Sequence, residues 1–216
     1  MDVSSAMTTR FALTDSHIRR ALDQLSQDHA PIQGALSQVG YPAPRRRDHS
    51  FGSLARIIIG QQLSTKAAAT ITTRVEAAAG AELTPSSVQS LSPEVFREAG
   101  LSRQKIAYLQ ALSEAVTSNA LPLKELPRLS DAEVESAITG VKGLGRWSAH
   151  MYMMFALGRP DVWPSGDLAV RVGFGRIMAW SERPDEKKVI ARGAVFSPHR
   201  SALALLCWHF YSEAPL

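Results

Sequence analysis

Cysteine is almost missing from this chain: Cys207 is the only one in 216 residues. A single thiol closes no intrachain disulfide and supplies no thiolate set for zinc or an iron–sulfur cluster; it fits a reducing, cytoplasmic location. Long apolar runs are missing too. Ile57-Ile58-Ile59 stops at Gly60, far short of the roughly 20 residues that a membrane helix needs, so no membrane partner is expected. No basic segment followed by an apolar one opens the chain, so no secretory signal is expected. Histidines are scattered without metal-ligand spacing. Alternating β-branched runs, internal repeats, long linkers and low-complexity tracts are absent as well.

What is present reads as all helix. Hydrophobic residues make up 45% and charged residues 20%, the balance of a globular protein with one large domain or two small ones. Thr14-Asp15 precedes Ile18, Ala21, Leu22 and Leu25 at helical spacing. Pro31 and Gly40 bracket a second helix. Ser50 caps a third that carries Leu54, Ile57 and Ile58. Gln61-Gln62-Leu63 interrupts, and Ser64 restarts an alanine-rich helix that ends at Gly80. Ser92-Pro93 opens another, closed by Gly100, and Ser102 caps one through about Ser118. Ser130 and Glu133 form a capping box. Further helices follow Gly145, Asp167 and Ser197-Pro198. The first dozen residues, rich in Ser and Thr, are expected to be disordered.

The net charge is +4 and the pI about 9.5, which fits a polyanionic partner without requiring one. Between Val141 and Trp180, Lys142, Arg146, Arg159, Arg171 and Arg176 are opposed only by Asp161 and Asp167. Arg45-Arg46-Arg47 is a second basic cluster, either a solvated loop or part of a surface for such a partner.

Val141-Lys142-Gly143-Leu144-Gly145-Arg146-Trp147-Ser148-Ala149 lies between two helical patterns. Its two glycines permit a tight hairpin with positive φ. Backbone N–H groups of such a turn, beside a helix N-terminus, form a site for a DNA phosphate, to which Lys142 and Arg146 add charge. Alone, Gly-x-Gly between helices is a weak signal and reads better as a plain turn.

The hairpin, then a helix, then Trp163-Pro164-Ser165-Gly166-Asp167 resembles the helix–hairpin–helix, Gly/Pro-rich loop and aspartate signature of base-excision DNA glycosylases. Trp147 and Asp167 are 20 positions apart (167 − 147), which suits that arrangement. Leu54-Ala-Arg-Ile-Ile-Ile-Gly-Gln-Gln-Leu-Ser64 resembles the segment that enters the DNA stack in this family. Pro198-His-Arg-Ser-Ala-Leu-Ala-Leu-Leu-Cys-Trp208 resembles the C-terminal helix of its alkylbase branch, the 3-methyladenine DNA glycosylase II type. The likeness runs from about Ser50 to Tyr211. It implies an all-α fold of two helical lobes with a DNA-binding cleft between them: residues 51–157 as the central lobe, and 1–50 with 158–216 as the other. The separate β-rich N-terminal domain of some relatives is not expected.

The resemblance also implies roles, each beside a plainer reading. Asp167 is the catalytic carboxylate, facing the positive charge that builds on the sugar as an N-glycosidic bond breaks; it is equally a helix N-cap. Trp147, Trp208 and Met151 line the base pocket, where indole faces attract a purine made cationic by alkylation; both indoles also suit a core. Bifunctional relatives carry a lysine where Trp147 stands, and tryptophan forms no Schiff base, so a monofunctional hydrolase is implied. Gln61, Gln62, Leu63 and Ser64 form the DNA-facing wedge that fills the gap left by a flipped base, or simply a polar loop. Lys142, Gly143, Gly145 and Arg146 hold the backbone. Carbonyls of Thr139, Val141 and Leu144 offer a place for a structural sodium or potassium ion; no cofactor is required and no iron–sulfur cluster is expected.

Met151, Phe196 and His199 depart from residues that alkylbase relatives place there. The implied partner is double-stranded DNA with alkylated bases, and the implied form a cytoplasmic monomer. A non-catalytic helix–hairpin–helix binder needs neither Asp167 at this spacing nor a tryptophan-lined pocket. A glycosylase for oxidised or mismatched bases is disfavoured by the missing lysine and cysteine cluster.

Overall fold

The computed structural model describes residues 11–214, and its regular structure is helical throughout. In chain order the α-helices are α1 (Asp15–Asp28), α2 (Ala30–Val39), α3 (Phe51–Gly60), α4 (Thr65–Ala78), α5 (Pro85–Ser90), α6 (Pro93–Glu98), α7 (Arg103–Thr117), α8 (Asp131–Thr139), α9 (Arg146–Phe155), α10 (Leu168–Ile177), α11 (Glu186–Gly193) and α12 (Arg200–Glu213). Two 3₁₀ turns lie at Leu123–Arg128 and Ala194–Phe196.

Side-chain caps start half of these helices where the sequence places them. Thr14, Ser50, Ser64, Ser102 and Asp167 each accept a backbone N–H from the first turn of the helix that follows. Ser130 and Glu133 cap each other reciprocally. Each cap satisfies a donor that the helix start leaves unpaired. Four elements go beyond the sequence reading: α5, α11 and the turns at Leu123–Arg128 and Ala194–Phe196. The signals were there for two of them, since Thr84-Pro85 with Ser87 is a capping box and Asp185 caps α11. Both helices are short, with a single apolar face residue or two to show periodicity.

Residues 1–10 of the dozen expected to be disordered lie outside the described residues. Phe11 and Ala12 are ordered: Ala12 N–H donates to the Gly158 carbonyl at 3.1 Å.

The chain forms two compact units. One runs over residues 47–152 and is built on α3, in which every residue except Arg56 and Gly60 is buried. A helix apolar on all sides belongs at the centre, and α4 and α7 pack on it. Leu54, Ile58, Ile59, Leu109, Leu112, Phe96 and Ile138 make its core. The other unit joins residues 11–46 to 153–214. Its centre is α12, buried from Ser201 to Trp208 and packed on α10, α1 and α2. Gly173 of α10 makes that packing possible: a Cβ there would lie 2.1 Å from the Cys207 carbonyl oxygen. The missing side chain lets two backbones touch, which brings the start of α10 alongside Trp208.

Candidate active site

Asp167 caps α10, its Oδ1 accepting the Val170 N–H at 3.0 Å. The same oxygen accepts the indole Nε1–H of Trp208 at 3.0 Å. The two readings of Asp167, helix cap and functional carboxylate, therefore share one geometry. The N-terminus of a helix favours a negative charge at this place. Trp208 is 8% exposed. Its ring lies 5.7 Å from that of Phe155 at a 40° tilt, and the Arg45 guanidinium lies 5.7 Å from its centroid. The loop leading to Asp167 is held by the buried Trp163, whose indole donates to the Val189 carbonyl at 3.0 Å, and by Ser165, which donates to Glu186 at 3.1 Å.

In the other unit the hairpin between α8 and α9 closes with Leu144 N–H on the Val141 carbonyl at 3.0 Å. Only one of its two glycines takes positive φ. Gly143 sits at +93°, and a Cβ there would meet the Tyr108 ring at 2.1 Å. Gly145 corrects the expectation: it has open space around it and a φ outside the left-handed region. Its carbonyl accepts from Ala149 as α9 begins. Lys142, Gly145, Arg146 and Trp147 are exposed, Trp147 by 38%. Arg146 pairs with Glu135 at 3.2 Å, and Glu135 also takes the buried His150 at 3.1 Å. Lys142 is thus the more available of the two cations. Met151 is buried at 6% exposure.

The Gln61-Gln62-Leu63 segment divides into two kinds of residue. The Gln61 side-chain amide donates to the Gly143 carbonyl at 2.8 Å and to Ser148 Oγ at 3.3 Å, so it braces the hairpin. Gln62 is exposed in the left-handed region at φ 57°, and Leu63 is 39% exposed. A non-glycine residue in this region is uncommon and points to a constrained turn. Ser64 caps α4 through Ala67. Ahead of the turn, Lys105 Nζ donates to the Ile59 carbonyl at 2.7 Å, in the last turn of α3. Burial lowers the pKa of this amine.

The HhH-GPD superfamily of base excision DNA repair proteins matches residues 55–198 of this sequence. The DNA-3-methyladenine glycosylase 1 of Schizosaccharomyces pombe is 33% identical over 176 residues, covering 79% of this chain and 77% of its own. This chain belongs to the HhH-GPD superfamily. Among solved structures, the S. pombe 3-methyladenine DNA glycosylase in complex with abasic DNA superposes with a TM-score of 0.81 at 31% identity, covering 88% of this chain and 95% of that one. A DNA-3-methyladenine glycosidase from Bacillus halodurans gives a TM-score of 0.77 at 33% identity, with 94% and 93% coverage.

Within this HhH-GPD frame, Thr139, Val141 and Leu144 present neutral carbonyl oxygens at and beyond the end of α8. Helix C-termini leave such carbonyls without intrahelical donors, and hard neutral oxygens fit a monovalent cation. The Val141 oxygen also accepts the Leu144 N–H. Three contributors escaped the sequence reading: Lys105 on the α3 carbonyl, Tyr108 under Gly143, and Phe155 beside Trp208. No local pattern marks them, because each acts through a partner distant in sequence.

Proposed function

We propose that this chain is a monofunctional DNA glycosylase that hydrolyses the N-glycosidic bond of alkylated purines, of the 3-methyladenine and 7-methylguanine type, in double-stranded DNA. It acts in base excision repair. The observation that carries the reading is Asp167 at the head of α10, its Oδ1 fixed by Val170 N–H and the Trp208 indole, in an HhH-GPD chain whose relatives are named 3-methyladenine glycosylases.

The chemistry follows from charge. N3 or N7 alkylation makes the purine cationic, so the C1′–N bond breaks with its electron pair returning to the base and neutralising it. Positive charge moves to the sugar, where the Asp167 carboxylate stabilises it. Water forms the new C1′–O bond, and its proton passes to the carboxylate or to solvent. The departing base needs little acid assistance, which suits a site with one carboxylate at its centre. Trp208, beside Asp167, offers a π face to the flipped base.

Lys142, with the Gly143 and Gly145 backbone, takes phosphates, and a sodium or potassium ion on Thr139, Val141 and Leu144 would add positive charge to the same hairpin. Gln62 and Leu63 are the exposed candidates for the stack-filling residue, Gln61 their brace. The protein works as a monomer in the cytoplasm, at the nucleoid in a prokaryote. No helix among the described residues is long and apolar enough to cross a membrane. The deciding experiment is excision from methylated duplex DNA by the wild type and Asp167→Asn. Release of 3-methyladenine and 7-methylguanine by the wild type alone supports the reading; DNA binding without base release by either protein overturns it.

A further inference from the structure

Arg45-Arg46-Arg47 lies in the segment between α2 and α3, and two of its members rest on aromatic rings of their own unit. Arg46 lies 4.9 Å from the Phe11 centroid and Arg45 lies 5.7 Å from that of Trp208. Pro42 is buried and Pro44 immediately precedes Arg45, so the approach to Trp208 is made by a stretch of restricted φ. Arg45 itself remains exposed. The indole it covers is 8% exposed, with its N–H committed to Asp167 and its ring beside Phe155. A guanidinium is planar, singly charged and weakly hydrated, and it stacks on indoles. A purine alkylated at N3 or N7 is also planar and singly charged. The two are chemical equivalents toward the same ring.

We propose that Arg45 occupies, in the DNA-free protein, the cation-accepting surface of Trp208 that an alkylated purine takes, and leaves it by transferring its guanidinium to a phosphate of the bound duplex. This rests on the reading of Trp208 as a base-pocket residue. An exposed cation–π contact is worth about 2- to 5-fold in an equilibrium constant, enough to keep the ring covered and weak enough to yield to a polyanion. Covering lowers the apparent affinity of a free ligand by the fraction of molecules that are open. Free cationic bases therefore compete poorly, while duplex binding itself uncovers the ring.

The test uses full-length protein and a permanent cation with no sugar to cleave, 3,9-dimethyladeninium, with 9-methyladenine as its neutral counterpart. Arg45→Ala, at an exposed position that leaves the fold intact, is expected to bind the cation about 2- to 5-fold more tightly than the wild type. Its affinity for duplex DNA falls, and the log–log salt slope becomes shallower by about 0.9, the value for one phosphate contact. Trp208→Phe, measured alongside, separates the two readings. If it weakens cation binding but Arg45→Ala changes nothing, the covering role is wrong and the pocket stands. If Trp208→Phe leaves cation binding unaltered, the pocket reading fails and the covering role with it. Tighter cation binding with an unchanged salt slope overturns the transfer to phosphate.

Discussion

Oδ1 of Asp167 accepts two N–H groups at once, from Val170 three residues on and from the Trp208 indole 41 residues away, each at 3.0 Å. One bond is local and starts α10. The other ties that start to α12. Together they hold the carboxylate where neither a flexible loop nor an isolated cap would keep it, and preorganisation of this kind lets a charge act on a transition state.

Asp167→Asn keeps an oxygen for both donors and removes the charge. Excision of methylated purines is expected to fall by about 10²-fold or more. Stability changes by less than about 1 kcal/mol, since Asn caps helices as well as Asp does. Single-turnover excision, duplex affinity and melting are measured together. Near-normal excision would remove Asp167 from the chemistry.

Gly173→Ala drives a methyl into the Cys207 carbonyl, 2.1 Å from its ideal position. Forced separation of two packed helices costs about 1–3 kcal/mol, and it lengthens the Asp167–Trp208 contact. Both the melting temperature and the excision rate of the folded fraction should drop. Gly34→Ala is the control: it sits on an exposed face of α2 with nothing within 4 Å, and it should gain up to about 1 kcal/mol in helix propensity.

The hairpin glycines should behave differently. Gly143→Ala meets both φ +93° and the Tyr108 ring, so it lowers stability by at least about 2 kcal/mol. Gly145→Ala, in open space at the start of α9, costs no more than about 1 kcal/mol. Gln61→Ala removes the brace to Gly143 and Ser148, a loss of about 0.5–1.5 kcal/mol. It weakens binding to damaged and undamaged duplexes alike. Denaturant midpoints and duplex titrations check all three; equal effects of the two glycines would contradict the hairpin geometry.

Position 147 carries an indole, so hydrolysis should leave intact abasic sites. Borohydride should trap no protein–DNA adduct, and strand breaks should need added alkali or heat. Spontaneous cleavage would show that another amine attacks the sugar, with Lys142 and Lys105 the first to replace.

Stability should decline in mild acid. His17 has its pKa held below the ordinary 6.5, first by burial and then by the positive charges of Arg20 and His199. Partial burial lowers that of His49 in the same direction. The unfolded chain then binds protons that the folded chain refuses. This contribution is complete above about pH 6.5 and is lost as pH falls below it toward the folded-state values. His17→Gln should flatten the dependence of the denaturation midpoint on pH between 7 and 5. An unchanged profile would mean that His17 titrates alike in both states.

The sequence by itself determined most of the helices and the identity of the chemical groups. Caps such as Thr14, Ser50, Ser64, Ser102, Ser130 and Asp167 act within one turn, so their partners sit within reach in the chain. The order of hairpin, tryptophan and aspartate is likewise written linearly, and it suffices to point to the family. Tertiary structure alone decided what each group touches. It gave Gln61 to Gly143 instead of to the exposed face of its turn, paired Arg146 with Glu135, and reserved positive φ for Gly143. It also turned the Trp208 N–H onto Asp167 and laid Arg45 on the indole. The physical reason is that these contacts depend on how closely helices approach, as at Gly173 against Cys207. Packing distance is a property of the assembled helices, and no spacing along the chain encodes it.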